Sequence, residues 1–355
     1  MTTQHKLISK KKPTFPISDA LNEFLVKYKR SIKISILYND LLRFQGSVNV
    51  YDKNDVDTLW VRTYYSEWDR LEIDRSLKKI YTILHSDGNE STIPFLNVDA
   101  IDYCTFGNSK PFRVKVRNIL NDNFTYFYIK KADASRVYGL ELEHLLSPYN
   151  INYLVYKDTL IEEHISGIPG DDFINNILPK CSSSEKSQIA KEFVKFKERC
   201  LIRLLGDMRS YNYVITPIHD FDQIIYKIRA IDFDQQSYEG NLKVYNLQFM
   251  KENFKMVEMV GRKLQNSSIE QYKIEERSFI AKRMITSPNR TSKIIECMKN
   301  DFISKPENIE QLKKELISYV GDVKFKECKN MGEILETILA FVERNYLDIS
   351  NKELF

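Results

Sequence analysis

Glycine, proline and cysteine are all scarce in this chain of 355 residues, which contains only 11 Gly, 10 Pro and 5 Cys. Because the chain also has 43% hydrophobic residues, this composition excludes a disordered or collagen-like protein. The cysteines are odd in number and form no Cys-x-x-Cys pair, which favours a reduced, cytoplasmic location over a secreted, disulfide-bonded fold. The length is about twice that of a usual domain and predicts two lobes or two domains.

Long apolar runs and a surplus of one charge are also missing. No segment approaches the roughly 18 uninterrupted apolar residues of a membrane-spanning helix, so no membrane partner is predicted. The 53 Lys and Arg exceed the 49 Asp and Glu by a net charge of only +4, which argues against a nucleic-acid partner. The charged N-terminal residues 1–12 have no apolar stretch behind them and do not match a secretory signal.

Several familiar catalytic motifs are absent as well. The sequence has no P-loop, no Gly-x-Gly-x-x-Gly, no His-Glu-x-x-His and no Gly-x-Ser-x-Gly. Its five histidines are never three or four positions apart, so a zinc site made of protein ligands alone is not expected.

Hydrophobic periodicity divides the chain into three parts and predicts the α+β class. Residues 1–95 form a partly helical N-terminal extension, in which Ser18 or Asp19 is the expected cap of the first helix and Ser66 that of the second. Between residues 96 and 165, alternation with a period of two predicts antiparallel strands around one helix. Residues 166–355 are predicted to be mainly helical. Apolar stripes with helical spacing mark a long helix from Ser184 and later helices at about 247–264, 307–320 and 332–346.

One group of polar residues in the middle of the chain has the spacing that phosphoryl transfer requires. Asp207 and Asn212 follow the long helix, and Asp232 lies 20 residues beyond Asn212, which leaves room for two short strands and a turn. Phosphoryl transfer uses a carboxylate beside the attacking hydroxyl, and an amide and a second carboxylate that hold Mg²⁺. Asp220 belongs to a near-copy of the Asp232 motif but follows Asn212 by only eight residues, so it and Asp222 are predicted to be turn residues.

These residues lie in motifs that resemble those of the protein-kinase-like superfamily. The stretch Asp-Met-Arg-Ser-Tyr-Asn at residues 207–212 matches the catalytic-loop pattern Asp-Leu-Lys/Arg-x-x-Asn, and Asp-Phe-Asp at residues 232–234 is similar to the Asp-Phe-Gly metal motif. Gly206 before the aspartate resembles the His-Gly-Asp form of the aminoglycoside and choline phosphotransferases. Leu205 stands at the position of the histidine of that form. The role of that histidine is largely to brace the loop. The match spans about residues 98–265.

The resemblance implies a two-lobed protein-kinase-like fold, with an antiparallel-sheet N-lobe and a mainly helical C-lobe that bind ATP and Mg²⁺ between them. It implies that Asp207 is the catalytic base and that Arg209 offsets charge on the transferring phosphate. Asn212 and Asp232 are the implied magnesium ligands.

Residues upstream extend the resemblance in the expected order. Lys130, with Lys131 as the alternative in register, occupies the position of the lysine that grips the α- and β-phosphates. Its carboxylate partner is expected in the next helix, where Glu141 is preferred to Glu143 because a Leu-Leu pair then follows as it does in phosphotransferases.

Two further segments complete the implied nucleotide site. The turn after the first strand of the N-lobe resembles the phosphate-covering turn of kinases, with Gly107 and Ser109 nearest the phosphates. The segment 160–167 resembles the fifth strand and the hinge, where backbone groups near Glu163 and Ile165 are expected to hold adenine.

The sequence therefore predicts an ATP- and Mg²⁺-dependent phosphotransferase with a hydroxyl acceptor. A short segment after the metal motif and the lack of Ala-Pro-Glu favour a small-molecule acceptor over a protein, although residues 1–95 offer another route for protein docking. A pseudokinase that binds nucleotide without turnover stays open, because the phosphate-covering turn has a single glycine. A nucleic-acid-binding protein with a coincidental motif set is disfavoured by the charge of +4. The oligomeric state is not predicted.

Overall fold

The structure is a computed structural model that describes residues 12–86, 88–106, 109–221 and 223–353. Its contacts divide the chain into two compact units. The sheet unit consists of Pro16–Asp133 and Ile151–His164. The helical unit contains residues 12–15, Ala134–Asn150 and the chain from Ile165 onward.

The sheet unit is built on one antiparallel sheet of seven strands in the order β1-β2-β3-β4-β5-β7-β6. The strands are β1 (Gly46–Tyr51), β2 (Asp57–Tyr64), β3 (Leu96–Cys104), β4 (Phe112–Asn118), β5 (Phe124–Lys131), β6 (Tyr153–Tyr156) and β7 (Thr159–Glu163). The helices of this unit are α1 (Asp19–Lys27), α2 (Tyr38–Leu41) and α3 (Glu67–His85), and a 3₁₀ turn spans Glu90–Phe95.

The core of the sheet unit lies between α3 and one face of the sheet. Ile73, Leu77 and Ile80 recur at helical spacing on α3 and are fully buried, while Phe112 and Val114 alternate along β4 with half-buried polar residues. Each such buried side chain contributes about 1.5–3 kcal/mol relative to exposure. The hydrophobic period of each element therefore determines which of its faces is buried.

The helical unit contains the following helices and strands. They are α4 (Ala134–Leu146), β8 (Ile168–Pro169), α5 (Gly170–Asp172), α6 (Ser183–Arg203), β9 (Tyr213–Asp220), β10 (Gln223–Ala230), α7 (Phe254–Lys263), α8 (Asn266–Thr286), α9 (Pro288–Asn300), α10 (Pro306–Val320) and α11 (Met331–Glu353). The three strands form a small antiparallel sheet in the order β10-β9-β8. A π-helical turn at Phe173–Ile177 and 3₁₀ turns at Leu178–Lys180, Ser210–Asn212, Leu242–Tyr245, Leu247–Phe249, Lys251–Asn253 and Val323–Glu327 connect these elements.

The predicted α+β class, with an antiparallel sheet followed by a mainly helical region, is confirmed and is consistent with a kinase-like fold. Ser18 and Ser66 cap α1 and α3 as predicted, with each hydroxyl oxygen accepting a bond from a backbone N–H in the first turn. None of the helices in the described part of the chain is long and apolar enough to cross a membrane. All five cysteines are free thiols.

Several elements of the structure differ from the sequence-based expectation. The hairpin of β1 and β2 extends the sheet within residues 1–95, where no strand was predicted; most of its residues are exposed, so no core-facing period marks it. The helix predicted from residue 247 begins only at Phe254, after two 3₁₀ turns. The lobe boundaries predicted after residues 95 and 165 stay a prediction, because the contact units divide the chain by a different criterion.

We expect substitutions at two helical glycines to have opposite effects on stability. A Cβ at Gly332 in α11 would lie 2.4 Å from the Lys299 backbone nitrogen, whereas a Cβ at Gly261 in α7 would meet nothing within 4 Å. Gly332→Ala should therefore lower the free energy of unfolding by about 2 kcal/mol. Gly261→Ala should raise it by about 0.5–1 kcal/mol, because alanine favours a helix. Urea unfolding measures both, and equal stabilities would contradict the close packing of α11 on α9.

Candidate active site

The loop that carries Asp207 is held by backbone pairing with the segment that follows β10. Leu204 has a φ of 54° and ends α6 in a left-handed conformation. Leu205 then forms a β-bridge with Gln236, and the Gly206 N–H donates to the Gln235 carbonyl oxygen at 3.1 Å. This pairing brings the end of α6 beside the chain that has just passed through residues 232–234.

The backbone around Asp207 leaves no room for a side chain at the preceding residue. A Cβ at Gly206 would lie 2.8 Å from Val244 Cγ1, so glycine is required for this close approach. The Asp207 N–H donates to the Val244 carbonyl oxygen at 3.1 Å, and its φ of 58° is unusual for a residue other than glycine. Such a conformation costs about 1–2 kcal/mol and persists because the surrounding bonds impose it.

The Asp207 carboxylate is partly buried and lies among other charges. Arg209 Nε donates to Asp207 Oδ1 at 2.7 Å, and Arg209 Nη1 lies 3.3 Å from Glu252 Oε1. Burial raises the pKa of Asp207 to about 6; Arg209 opposes the shift, while the negative charges of Asp232 and Glu252 add to it. A carboxylate whose pKa lies near neutral pH is suited to accept a proton.

Asn212 is tied to the same loop through both its side chain and its backbone. Its Nδ2 donates to the Asp207 carbonyl oxygen at 2.7 Å, and its own carbonyl oxygen accepts from the Ile231 N–H at 3.0 Å. Because Nδ2 is used in this bond, Oδ1 is the atom of the amide that can ligate a cation. The bond to Ile231 also places Asn212 next to the residue that precedes Asp232.

The Asp232-Phe233-Asp234 turn is packed against α4. Asp232 Oδ1 accepts from the Asp234 N–H at 3.1 Å. Arg136 Nη2 of α4 bonds directly to Asp234 Oδ1 and lies 3.7 Å from Asp232 Oδ1. Phe233 is buried, and a Cβ at Gly139 of α4 would lie 3.0 Å from Phe233 Cβ. The turn is thus fixed by an ion pair and by close packing, while about a third of the Asp232 side chain stays exposed.

The donor set of Asn212 and Asp232 fits magnesium. Mg²⁺ takes oxygen ligands and usually keeps several waters, so one carboxylate and one amide suffice when phosphate oxygens supply the rest. Within the described ranges, no cluster of three or more His, Cys, Asp or Glu residues could hold a metal ion. A site for a structural zinc ion is therefore not found in this part of the chain.

In the sheet unit, Lys130 forms an ion pair with a carboxylate that was not predicted from the sequence. Its Nζ is 2.6 Å from Glu162 Oε2, and both residues are buried. Lys130 pairs with Leu160 and Tyr128 pairs with Glu162 in the register of β5 and β7, so Lys130 and Glu162 are diagonal neighbours on one face. The sequence alone could not identify this partner, because the pairing depends on the register of β5 and β7. Lys131 is exposed.

Glu141 and Glu143 of α4 both form ion pairs within the helical unit. Glu141 Oε1 accepts from Arg290 Nε at 2.6 Å, and Glu143 pairs with Arg203. Burial alone would raise the pKa of Glu143, but the Arg203 charge and further hydrogen bonds outweigh it and lower the pKa. Lys130 belongs to the sheet unit and Glu141 to the helical unit, so an ion pair between them stays a prediction.

The remaining predicted nucleotide contacts are placed as follows. Gly107 lies outside the described residues, and Ser109 is half-buried in the connection between β3 and β4. Glu163 ends β7, and its N–H donates to the Asn152 carbonyl oxygen at 3.0 Å. Ile165 is buried at the start of the third segment of the helical unit. No role is established for these residues by their positions alone.

The structure also places the near-copy of the metal motif. Asp220 is the last residue of β9, and it pairs with Gln223 at the start of β10. The prediction that Asp220 lies at the hairpin turn is confirmed, whereas Asp222 lies outside the described residues.

Comparisons with known proteins give little information. No family model and no curated protein matches this chain. Among solved structures, the chain is similar to an ethanolamine kinase from Plasmodium vivax, with 13% sequence identity, a TM-score of 0.29, and coverage of 69% of this chain and 88% of that chain.

We expect the buried carboxylate of Asp207 to destabilise the folded protein at neutral pH. The pKa of Asp207 is about 6 in the folded protein, whereas the ordinary value is 3.8. Between pH 3.8 and about pH 6, the folded protein therefore holds a proton that the unfolded chain has lost. The free energy of unfolding should thus fall as the pH rises through this window. Asp207→Asn removes the penalty and should stabilise the protein by about 2 kcal/mol at pH 8, with the gain vanishing toward pH 4.

Urea unfolding of parent and variant across the pH range measures this difference. Asp220→Asn is the matched control, because it makes the same change at an exposed turn residue. A gain that is the same at every pH would show that the Asp207 carboxylate does not titrate as described.

Proposed function

We propose that this protein is an ATP- and Mg²⁺-dependent phosphotransferase that moves the γ-phosphate to a hydroxyl group. The observation that carries this proposal is the grouping of three residues in the helical unit. Asn212 donates to the Asp207 carbonyl oxygen, and the negative charge of Asp232 contributes to the raised pKa of Asp207. A base, an amide and a carboxylate in one place are what phosphoryl transfer requires.

Asp207 and Arg209 would act at the transferred phosphate. With a pKa of about 6, Asp207 is mostly ionised at pH 7 and can accept the proton of the attacking hydroxyl. The bond from Arg209 to Asp207 Oδ1 orients the carboxylate, and the guanidinium supplies positive charge beside the phosphate.

The remaining predicted site residues would hold the nucleotide. Asn212 and Asp232 would hold Mg²⁺, which neutralises charge on the phosphates. In the sheet unit, Lys130 is oriented by Glu162 and would contact the α- and β-phosphates. Contacts of Gly107, Ser109, Glu163 and Ile165 with the phosphates and adenine, and the pairing of Lys130 with Glu141, belong to the same proposal.

The acceptor is proposed to be a small molecule. Residues 235–253, which follow the metal motif, form short turns packed into the helical unit, where Tyr238, Tyr245 and Leu247 are fully buried. A segment packed in this way offers no extended platform for a substrate peptide. This favours a small hydroxyl compound bound near Asp207 over a protein substrate.

A nucleotide-binding module without turnover is the second candidate. The observation that favours it is the Arg136 guanidinium, which lies 3.7 Å from Asp232 Oδ1 and places a positive charge beside a proposed metal ligand. The raised pKa of Asp207 favours the enzyme, because binding alone does not need a base.

We expect Asp232→Asn to weaken Mg²⁺-dependent ATP binding by at least tenfold without unfolding the protein, because a partly exposed carboxylate contributes little to the core. A fluorescent ATP analogue measures the affinity, and thermal unfolding checks the fold. Asp220→Asn is the matched control and should leave the affinity unchanged. Loss of binding in the control but not in Asp232→Asn would reverse the assignment of the two near-identical motifs.

We expect Asp207→Ala to lower phosphate transfer by several orders of magnitude while ATP affinity stays nearly constant, because a base acts on the acceptor rather than on ATP. The acceptor is sought by incubating the parent protein and labelled ATP with a metabolite extract and, separately, with a protein extract. A labelled small molecule that is absent with Asp207→Ala supports the proposal. Stoichiometric labelling of one protein, without any labelled metabolite, would contradict the small-molecule acceptor.

A further inference from the structure

Helix α4 contacts the proposed metal motif and the residues just after it at three positions. Ser135 Oγ donates to the Gln236 carbonyl oxygen at 2.7 Å, and Arg136 bonds to Asp234. One turn later, Gly139 packs against Phe233. All of these residues belong to the helical unit. The turn at residues 232–236 is therefore held against one face of α4 by a hydrogen bond, an ion pair and a close contact.

Asp234 stands where the Asp-Phe-Gly motif has glycine, and the structure gives this difference a physical role. A glycine could not pair with Arg136, which is almost completely buried and needs a carboxylate as its partner. Arg136 Nη2 is closer to Asp234 Oδ1 than to Asp232 Oδ1. Asp234 therefore supplies a nearer countercharge to Arg136 than Asp232 does, while about a third of the Asp232 side chain stays exposed.

The pair also determines how Asp232 is oriented. The Asp234 N–H donates to Asp232 Oδ1, so fixing Asp234 also fixes one oxygen of Asp232. The second oxygen of Asp232 then has a defined direction relative to α4. Residues that orient metal ligands in this way commonly change metal affinity by about 10- to 100-fold when they are mutated.

We propose that Arg136 is a positioning residue of the magnesium site, which acts through Asp234 to direct Asp232 at the cation. This proposal rests on the proposed function, because it assumes that Asp232 binds the metal of a nucleotide complex. It adds that the ion pair between α4 and the third residue of the motif is part of the metal site.

Charge alone and positioning predict opposite results for one substitution. Arg136→Gln removes a positive charge beside two carboxylates, so by charge alone it should strengthen cation binding. If Arg136 positions Asp232, the same substitution should weaken cation binding. Replacing both members of the pair, Arg136→Gln with Asp234→Asn, leaves the net charge unchanged; charge alone then predicts parental affinity, and positioning predicts a loss.

The experiment measures Mn²⁺ binding by the paramagnetic resonance signal of free Mn²⁺, on the full chain with a non-hydrolysable ATP analogue. We expect Arg136→Gln, Asp234→Asn and the double variant each to raise the Mn²⁺ dissociation constant by about tenfold or more. The double variant should bind Mn²⁺ no more weakly than the single variant that binds it less well. This is expected because both residues act through one contact. The matched control is Arg199→Gln, which removes an equally buried arginine paired with Glu276 at 2.6 Å.

The control is expected to leave the Mn²⁺ dissociation constant unchanged, whatever its effect on stability. Tighter or unchanged Mn²⁺ binding by Arg136→Gln, or losses in the single variants that multiply in the double variant, would overturn the positioning role while leaving the proposed function intact. Absence of Mn²⁺ binding by the parent with the ATP analogue would overturn both. If Arg136→Gln does not fold, the double variant decides, because it keeps the net charge and removes both members of the ion pair; parental Mn²⁺ affinity in that variant would overturn the positioning role.

Discussion

The backbone pairing between the end of α6 and the segment after β10 is the constraint on which the candidate site depends. The bridge of Leu205 with Gln236 and the bond from Gly206 to Gln235 connect chain segments that are about 30 residues apart in sequence. They bring Asp207 close enough to Asp232 for one charge to influence the other. Helix α6 ends in the left-handed residue Leu204, and this ending directs the chain into the pairing.

Buried ion pairs add a second constraint, because they connect α4 to the rest of the helical unit. Arg203 of α6 pairs with Glu143, Arg290 of α9 pairs with Glu141, and Arg136 pairs with Asp234. Burying such charges costs free energy, so these pairs contribute little net stability. Removal of one partner of a buried ion pair costs about 3–5 kcal/mol, so the pairs strongly disfavour other positions of α4.

Local signals in the sequence were sufficient to predict the elements around the site. Ser66 caps α3, the hairpin of β9 and β10 lies where the spacing between Asn212 and Asp232 requires it, and Asp220 lies at its turn. These features depend on capping, on alternation and on turn residues, all of which act over a few positions.

Contacts between distant positions could not be predicted in the same way. The pairing of Lys130 with Glu162 depends on the register of β5 and β7, and the pairing of Arg136 with Asp234 depends on how α4 packs. Helix α8 was not predicted because its buried residues do not form an apolar stripe. Glu276, for example, is buried in an ion pair. The hairpin of β1 and β2 was missed because most of its residues are exposed.

The proposed site requires the chain to bind ATP through magnesium. Calorimetric titration of the parent protein with ATP, once with excess Mg²⁺ and once with a chelator, measures this dependence. We expect one ATP bound per chain with Mg²⁺ and a large loss of affinity with the chelator, because carboxylate and phosphate oxygens repel each other without the cation. The absence of ATP binding with Mg²⁺, or equal affinity in both titrations, would contradict it.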